Sequence, residues 1–66
     1  MILTLNGESR EIPSLDTISE LLAHLNLIEK LVLVEQNGSA IARDRFASTP
    51  INDGDTFEIV RMVAGG

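Results

Sequence analysis

Residues 2–5 alternate, with Ile2 and Thr4 on one parity and Leu3 and Leu5 on the other. Asn6-Gly7 follows directly. A type I′ turn needs φ > 0 at both central positions, and Asn-Gly meets that need at least cost, so the pattern predicts a hairpin into a second strand over residues 8–12. Pro13, with no N–H to donate, ends that strand. Thr17-Ile18-Ser19-Glu20 then reads as a capping box, in which the Thr17 hydroxyl and the Glu20 carboxylate each satisfy one backbone N–H. Ile18, Leu21, Leu22 and Leu25 follow the i, i+3, i+4, i+7 spacing of a buried helical stripe. Ser19, Glu20, His24 and Asn26 fall on the wet side or its margin, and the helix is expected to end near Asn26 or Leu27.

The next apolar stretch, Leu31-Val32-Leu33-Val34-Glu35-Gln36, has no polar alternation in its first four positions. Such a run suits a strand covered on both faces. A single helix covers only one, so the other must meet water or a partner. Asn37-Gly38 predicts a second tight turn into a short strand over residues 39–42. Arg43 to Phe46 is irregular, Thr49-Pro50 bends, and Asp53-Gly54-Asp55 turns into a last strand over residues 56–63. The order of hairpin, helix, hairpin and strand predicts a two-layer α+β domain: a mixed sheet of four to five strands with one helix across one face. If the last strand lies beside the first, both are central and the arrangement is a β-grasp. Phe57 and Ile59 then face the helix with Leu3, Leu5, Leu21 and Leu25, while Val60 and Met62 point away. With one parity of residues 31–34 they form an apolar patch on the open face, an expected partner-binding site that includes Val63.

Length and charge narrow what such a domain can do. The chain has 66 residues, enough for a single domain over 1–66 and too few for the walls of a deep catalytic pocket. Ten acidic residues against five basic give a formal charge of −5. That balance disfavours nucleic acid and favours a protein partner with a basic face, although excess charge also serves solubility. No cysteine is present, which removes disulfides, thiolate metal sites and Cys nucleophiles. No stretch has the length or apolarity of a signal peptide or membrane span, so no membrane association and a cytoplasmic location are expected. His24 has no nearby Cys, Ser or second His with which to make a triad or metal site, and it reads as a surface or boundary residue. Asp53 and Asp55 fall short of a calcium loop and read as turn chemistry, so no metal site is expected. Arg43 and Arg45 read as loop residues, and Phe46 as a plug for the open end of the core.

The chain ends Ala64-Gly65-Gly66. Two residues without Cβ leave a thin strip of backbone ending in an α-carboxylate, able to thread a narrow slot. By itself it is equally a frayed end. Residues 64–66 are expected to form a flexible tail, reaching about 10 Å from Val63 at roughly 3.3 Å per residue.

Taken together, the Asn-Gly first hairpin, the Thr-x-x-Glu-Leu-Leu helix, Val32-Leu33-Val34-Glu35-Gln36-Asn37, Asp53-Gly54-Asp55 and Gly65-Gly66 resemble the sulfur carrier proteins of thiamine biosynthesis over essentially the whole chain. The molybdopterin-synthase small subunit and ubiquitin-like modifiers share the fold and the tail, and are usually longer. The resemblance implies a protein co-substrate rather than an enzyme. An E1-like adenylating enzyme, using ATP and Mg, would adenylate the Gly66 carboxylate. A sulfur-donating protein would supply the sulfur that replaces AMP, and the thiocarboxylate would serve thiazole synthase. Ala64 and Gly65 would thread the partner's channel, and no cofactor would be bound by the chain itself. Alternatives are the molybdopterin-synthase subunit, a modifier conjugated through the tail, or a plain interaction module.

Overall fold

The computed structural model describes residues 1–62. Five strands form one mixed sheet in the order β2-β1-β5-β3-β4. These are β1 (Ile2–Leu5), β2 (Glu8–Glu11), β3 (Val32–Gln36), β4 (Ser39–Ile41) and β5 (Thr56–Arg61). A single α-helix, α1 (Ile18–His24), crosses one face, and short 3-10 turns occupy Glu29–Leu31 and Arg43–Arg45. This is the expected β-grasp, with β1 and β5 adjacent and parallel near the middle of the sheet. Val63 and the tail 64–66, expected to extend the last strand and to be flexible, lie outside the described residues.

Local chemistry accounts for the element ends. Asn6 and Gly7 have φ of 50° and 83°, and Asn37 and Gly38 have 51° and 87°, the two left-handed positions of a type I′ turn. Thr17 caps α1, its hydroxyl accepting from the Glu20 N–H at 3.3 Å. The Glu20 carboxylate differs from the expected box: it accepts from the N–H of Asp16 at 2.9 Å, one residue further back, where Thr17 is drawn into a bridge with Pro50. Helix α1 ends because Asn26 takes φ of 59°, the left-handed exit that Asn tolerates. The Leu27 N–H then returns to the Leu22 carbonyl at 2.8 Å.

The core lies between α1 and the sheet. Leu3, Ile18, Leu21, Leu22 and Phe57 are completely buried, joined by Leu5, Val32, Val34, Phe46 and Ile51. Leu25 and Ile59 pack against this cluster half-buried. Phe46, expected to plug the open end of the core, is fully buried within it. In β3 the burial alternates: Val32 and Val34 face the helix, and Leu33 stands on the opposite face, 58% exposed. The run that reads as covered on both sides is thus covered on one. Arg43, read as a solvated loop residue, instead ties two segments together, donating to the carbonyls of Glu29 at 3.2 Å and Lys30 at 3.1 Å.

Candidate functional site

Two features of the sheet meet at β5. The first is its open face. β5 pairs antiparallel with β3 so that Leu33 lies opposite Val60 and Glu35 opposite Glu58. Val60 is 57% exposed. Across β1 the same face carries Ile2 and Thr4, because Thr4 pairs with Thr56 and Ile2 with Glu11. The expected patch therefore exists as an exposed apolar pair, Leu33 and Val60. Met62 is only half-buried rather than fully out, and its N–H donates to the Leu31 carbonyl at 2.7 Å. Leu31 is itself exposed. Val63, the third expected partner-binding residue, lies outside the described residues, as do Ala64, Gly65 and Gly66.

The second feature is how firmly β5 is held along its length. Its parallel ladder with β1 is only two residue pairs long, Thr4 with Thr56 and Leu5 with Phe57. Side chains from turns extend it at both ends. Asp53 Oδ1 accepts from the Ile2 N–H at 2.6 Å, and the Gly54 N–H donates to the Ile2 carbonyl at 2.7 Å. At the other end Asn6 Oδ1 accepts from the Ile59 N–H at 2.7 Å and Asn6 Nδ2 donates to the Ile59 carbonyl at 3.0 Å. Asn37 does the same work where β5 begins, accepting from the Thr56 N–H at 2.9 Å and donating to Asp55 Oδ1 at 3.0 Å. Both Asn-Gly turns thus spend their Asn side chains on the last strand. Pattern reading assigned these residues to turn formation alone; only the pairing of strands far apart in sequence shows the second role.

Asp55 is the one buried charged residue among those described, 9% exposed. Its carboxylate accepts from Gln36 Nε2 at 3.0 Å, Asn37 Nδ2 at 3.0 Å and the Asn52 N–H at 2.9 Å. Burial pushes its pKa up, but the bonds from Asn37, Asn52 and Gln36 together outweigh that, so the group is held below its ordinary value. The cluster joins the Asp53-Gly54-Asp55 turn to the β3–β4 turn and is structural. Among the described residues no group of His, Asp or Glu is arranged to hold a metal ion. His24 is exposed on α1, away from the open face.

On the helix side a concavity of about 450 Å³ lies between the β1–β2 hairpin, the end of α1 and β5, lined by Leu5, Leu25, Val32, Ile59, Arg10 and Arg61 among others. It offers the guanidinium groups of Arg10 and Arg61 and the carboxylate of Glu8 over an apolar floor, and no nucleophile beside a base. The described residues therefore hold no catalytic constellation; what they present on the open face is the exposed apolar pair Leu33 and Val60.

A small helix-crossed mixed sheet whose central last strand runs out toward a Gly-Gly end defines a ubiquitin-like β-grasp domain. The sequence model of the ThiS family matches residues 3–66. The chain belongs to that family, the sulfur carriers of thiamine biosynthesis that the sequence resembles. The crystal structure of a thiamine biosynthesis protein (ThiS) from Geobacter metallireducens superposes with a TM-score of 0.83 at 33% identity, covering 100% of both chains. The sulfur carrier protein ThiS of Bacillus subtilis is 42% identical over 50 residues, which is 76% of each chain. A thiazole synthase from Paramagnetospirillum magneticum is 36% identical over 66 residues, all of this chain but only 20% of that protein's length. No helix among the described residues is long and apolar enough to cross a membrane.

Proposed function

We propose that this domain carries sulfur on its C-terminal carboxylate. A carboxylate is a poor electrophile, because its charge repels nucleophiles and its oxygens leave badly. In the proposed sequence, a Gly66 carboxylate oxygen attacks the α-phosphorus of ATP in an adenylating partner, with Mg, and pyrophosphate leaves. A sulfide equivalent from a sulfur-donating protein then attacks the acyl carbon, AMP leaves, and a thiocarboxylate remains. That group passes its sulfur to a thiazole synthase.

The observation that carries this reading is the ThiS-family match over residues 3–66, which includes Gly65-Gly66. Two others support it. A relative named thiazole synthase contains a stretch similar to the whole of this chain within a longer protein, as expected if carrier and acceptor work side by side. The fold adds support: bonds from Asn6, Asn37 and the β1 and β3 ladders hold β5, the last strand before the chain end. Positioning of the Gly66 carboxylate against ATP by the adenylating partner can supply much of the rate. Val60, Met62 and Val63 dock in this account, Ala64 and Gly65 thread, and Gly66 undergoes the chemistry.

Intact mass spectrometry tests the proposal. Incubation of the chain with ATP, Mg, the adenylating enzyme and a sulfur donor should give a species heavier by one sulfur-for-oxygen exchange. Isopeptide adducts to lysines instead would make the chain a modifier. No mass change would leave it a plain interaction module.

A further inference from the structure

Among the described strands the cations all lie on the helix side of the sheet, where Glu8, opposite buried Leu5, is the one carboxylate. In a sheet, directly opposed residues share a face and residues two apart along a strand do too. The pairings place Glu11 opposite Ile2, Glu35 opposite Glu58 and Leu33 opposite Val60 on the open side. Arg10, opposite buried Leu3, and Arg61, opposite buried Val32, fall on the helix side. Lys30, Arg43 and Arg45 lie outside the strands. Among the described strand residues the open face therefore carries three carboxylates and no cation.

Glu35 and Glu58 hold the sharpest position within that face. Both are exposed and oppose each other across β3 and β5, on the same face as Leu33 and Val60 and two residues along each strand from them. Like charges at directly opposed positions, with Cβ atoms about 4.5–5.5 Å apart, destabilise a sheet. A Lys at either position would instead form a favourable cross-strand pair. The sequence thus holds an unfavourable charge pair beside an exposed apolar pair, an arrangement that folding does not reward.

We propose that Glu35 and Glu58 form the charged half of the docking face: they receive an Arg or Lys of the adenylating partner while Leu33 and Val60 meet an apolar patch on it. The inference rests on the carrier reading above and names the chemistry of the surface that the partner must present. A cation placed between two carboxylates relieves their repulsion on binding, so the cost held in the free domain favours the complex. A second copy of this chain does not fit, since face-to-face pairing would bring two acidic surfaces together. Electrostatic recognition of this kind acts chiefly on association and specificity, and weakens with salt.

The test compares wild type with Glu58→Lys, with the double variant Glu35→Gln/Glu58→Gln and with Asp44→Asn as a control that removes a carboxylate away from the sheet. Asp44 sits in the 3-10 turn at Arg43–Arg45, off the sheet. The adenylating enzyme of the same host drives ATP–pyrophosphate exchange with each chain as co-substrate, at low and high salt, beside thermal denaturation of each chain alone. The expected result is a KM raised at least about tenfold by Glu58→Lys, a double variant whose KM has lost most of its salt dependence, and an unchanged kcat. Neither variant should melt below wild type, and Asp44→Asn should match wild type throughout. A KM and salt dependence unchanged in both sheet variants overturns the inference while wild-type exchange keeps the carrier reading intact. Absence of exchange with the wild-type chain removes both.

Discussion

The Asn6 carboxamide holds the Ile59 peptide from both sides, accepting from its N–H at 2.7 Å and donating to its carbonyl at 3.0 Å. A side chain here imitates a strand residue, continuing the β1–β5 ladder after the main chain of β1 has turned away. The same residue sits at φ of 50° in the turn, so its backbone and its side chain serve different partners. Asn6→Gly separates the two roles, because Gly keeps the left-handed turn and removes the amide. Two hydrogen bonds at about 0.5–1.5 kcal/mol each predict a loss of about 1–3 kcal/mol. Chemical denaturation measures the loss, and amide exchange should quicken at Ile59 more than at Val34. Unchanged exchange at Ile59 would show the clamp to be dispensable.

Neighbouring residues of β5 should respond oppositely to the same substitution. Ile59 packs half-buried against the core, and Val60 stands 57% exposed opposite Leu33. Val60→Asp should leave circular dichroism and melting nearly unchanged while weakening binding to the adenylating enzyme by about tenfold or more, that is, about 1.4 kcal/mol. Ile59→Asp places a charge against the apolar interior and should unfold much of the population. Calorimetric titration beside circular dichroism distinguishes the two. The reverse outcome would mean that the docking face is on the helix side.

The acid limb of stability should report Asp55. Its pKa is held below the ordinary value of 3.8 in the folded state. A depressed carboxylate stabilises the fold fully at pH well above 3.8, and that contribution fades as pH falls through 3.8 and then through the lower folded value. Asp55→Asn should lower stability by about 1–3 kcal/mol at neutral pH, through loss of charge-assisted bonds from Gln36, Asn37 and Asn52. It should also flatten the decline between about pH 5 and pH 2. Urea midpoints across that range give the measurement; parallel curves for the two proteins would assign the acid limb to other groups.

At the chain end, Gly66→Ala adds a Cβ and restricts the backbone where the proposed chemistry requires a thin strip. Adenylation should fall by orders of magnitude with the melting temperature unchanged. Pyrophosphate exchange at the wild-type rate would show that the partner's channel does not read that position.

Much of the fold was legible in the sequence because short-range chemistry specifies it. Asn-Gly can supply two successive positive φ angles, Thr17 with Glu20 marks a helix start, and the spacing of Ile18, Leu21, Leu22 and Leu25 defines one buried stripe. The alternation of Phe57, Ile59 and Val60 assigned the faces of β5 correctly. Residues 31–34 were different: four apolar side chains in a row carry no period of two, so no local rule says which parity faces out. Pairing with β5 decided it, burying Val32 and Val34 and leaving Leu33 beside Val60.

The Gly65-Gly66 end and the turn residues around β5 were thus set by the sequence itself. Only the tertiary structure decided that Asn6 and Asn37 bond to a strand far along the chain, that Asp55 is buried within their network, and that Glu35 meets Glu58. The physical reason is range: turn and helix signals act within a few residues, whereas a cross-strand contact exists only once register brings distant segments together.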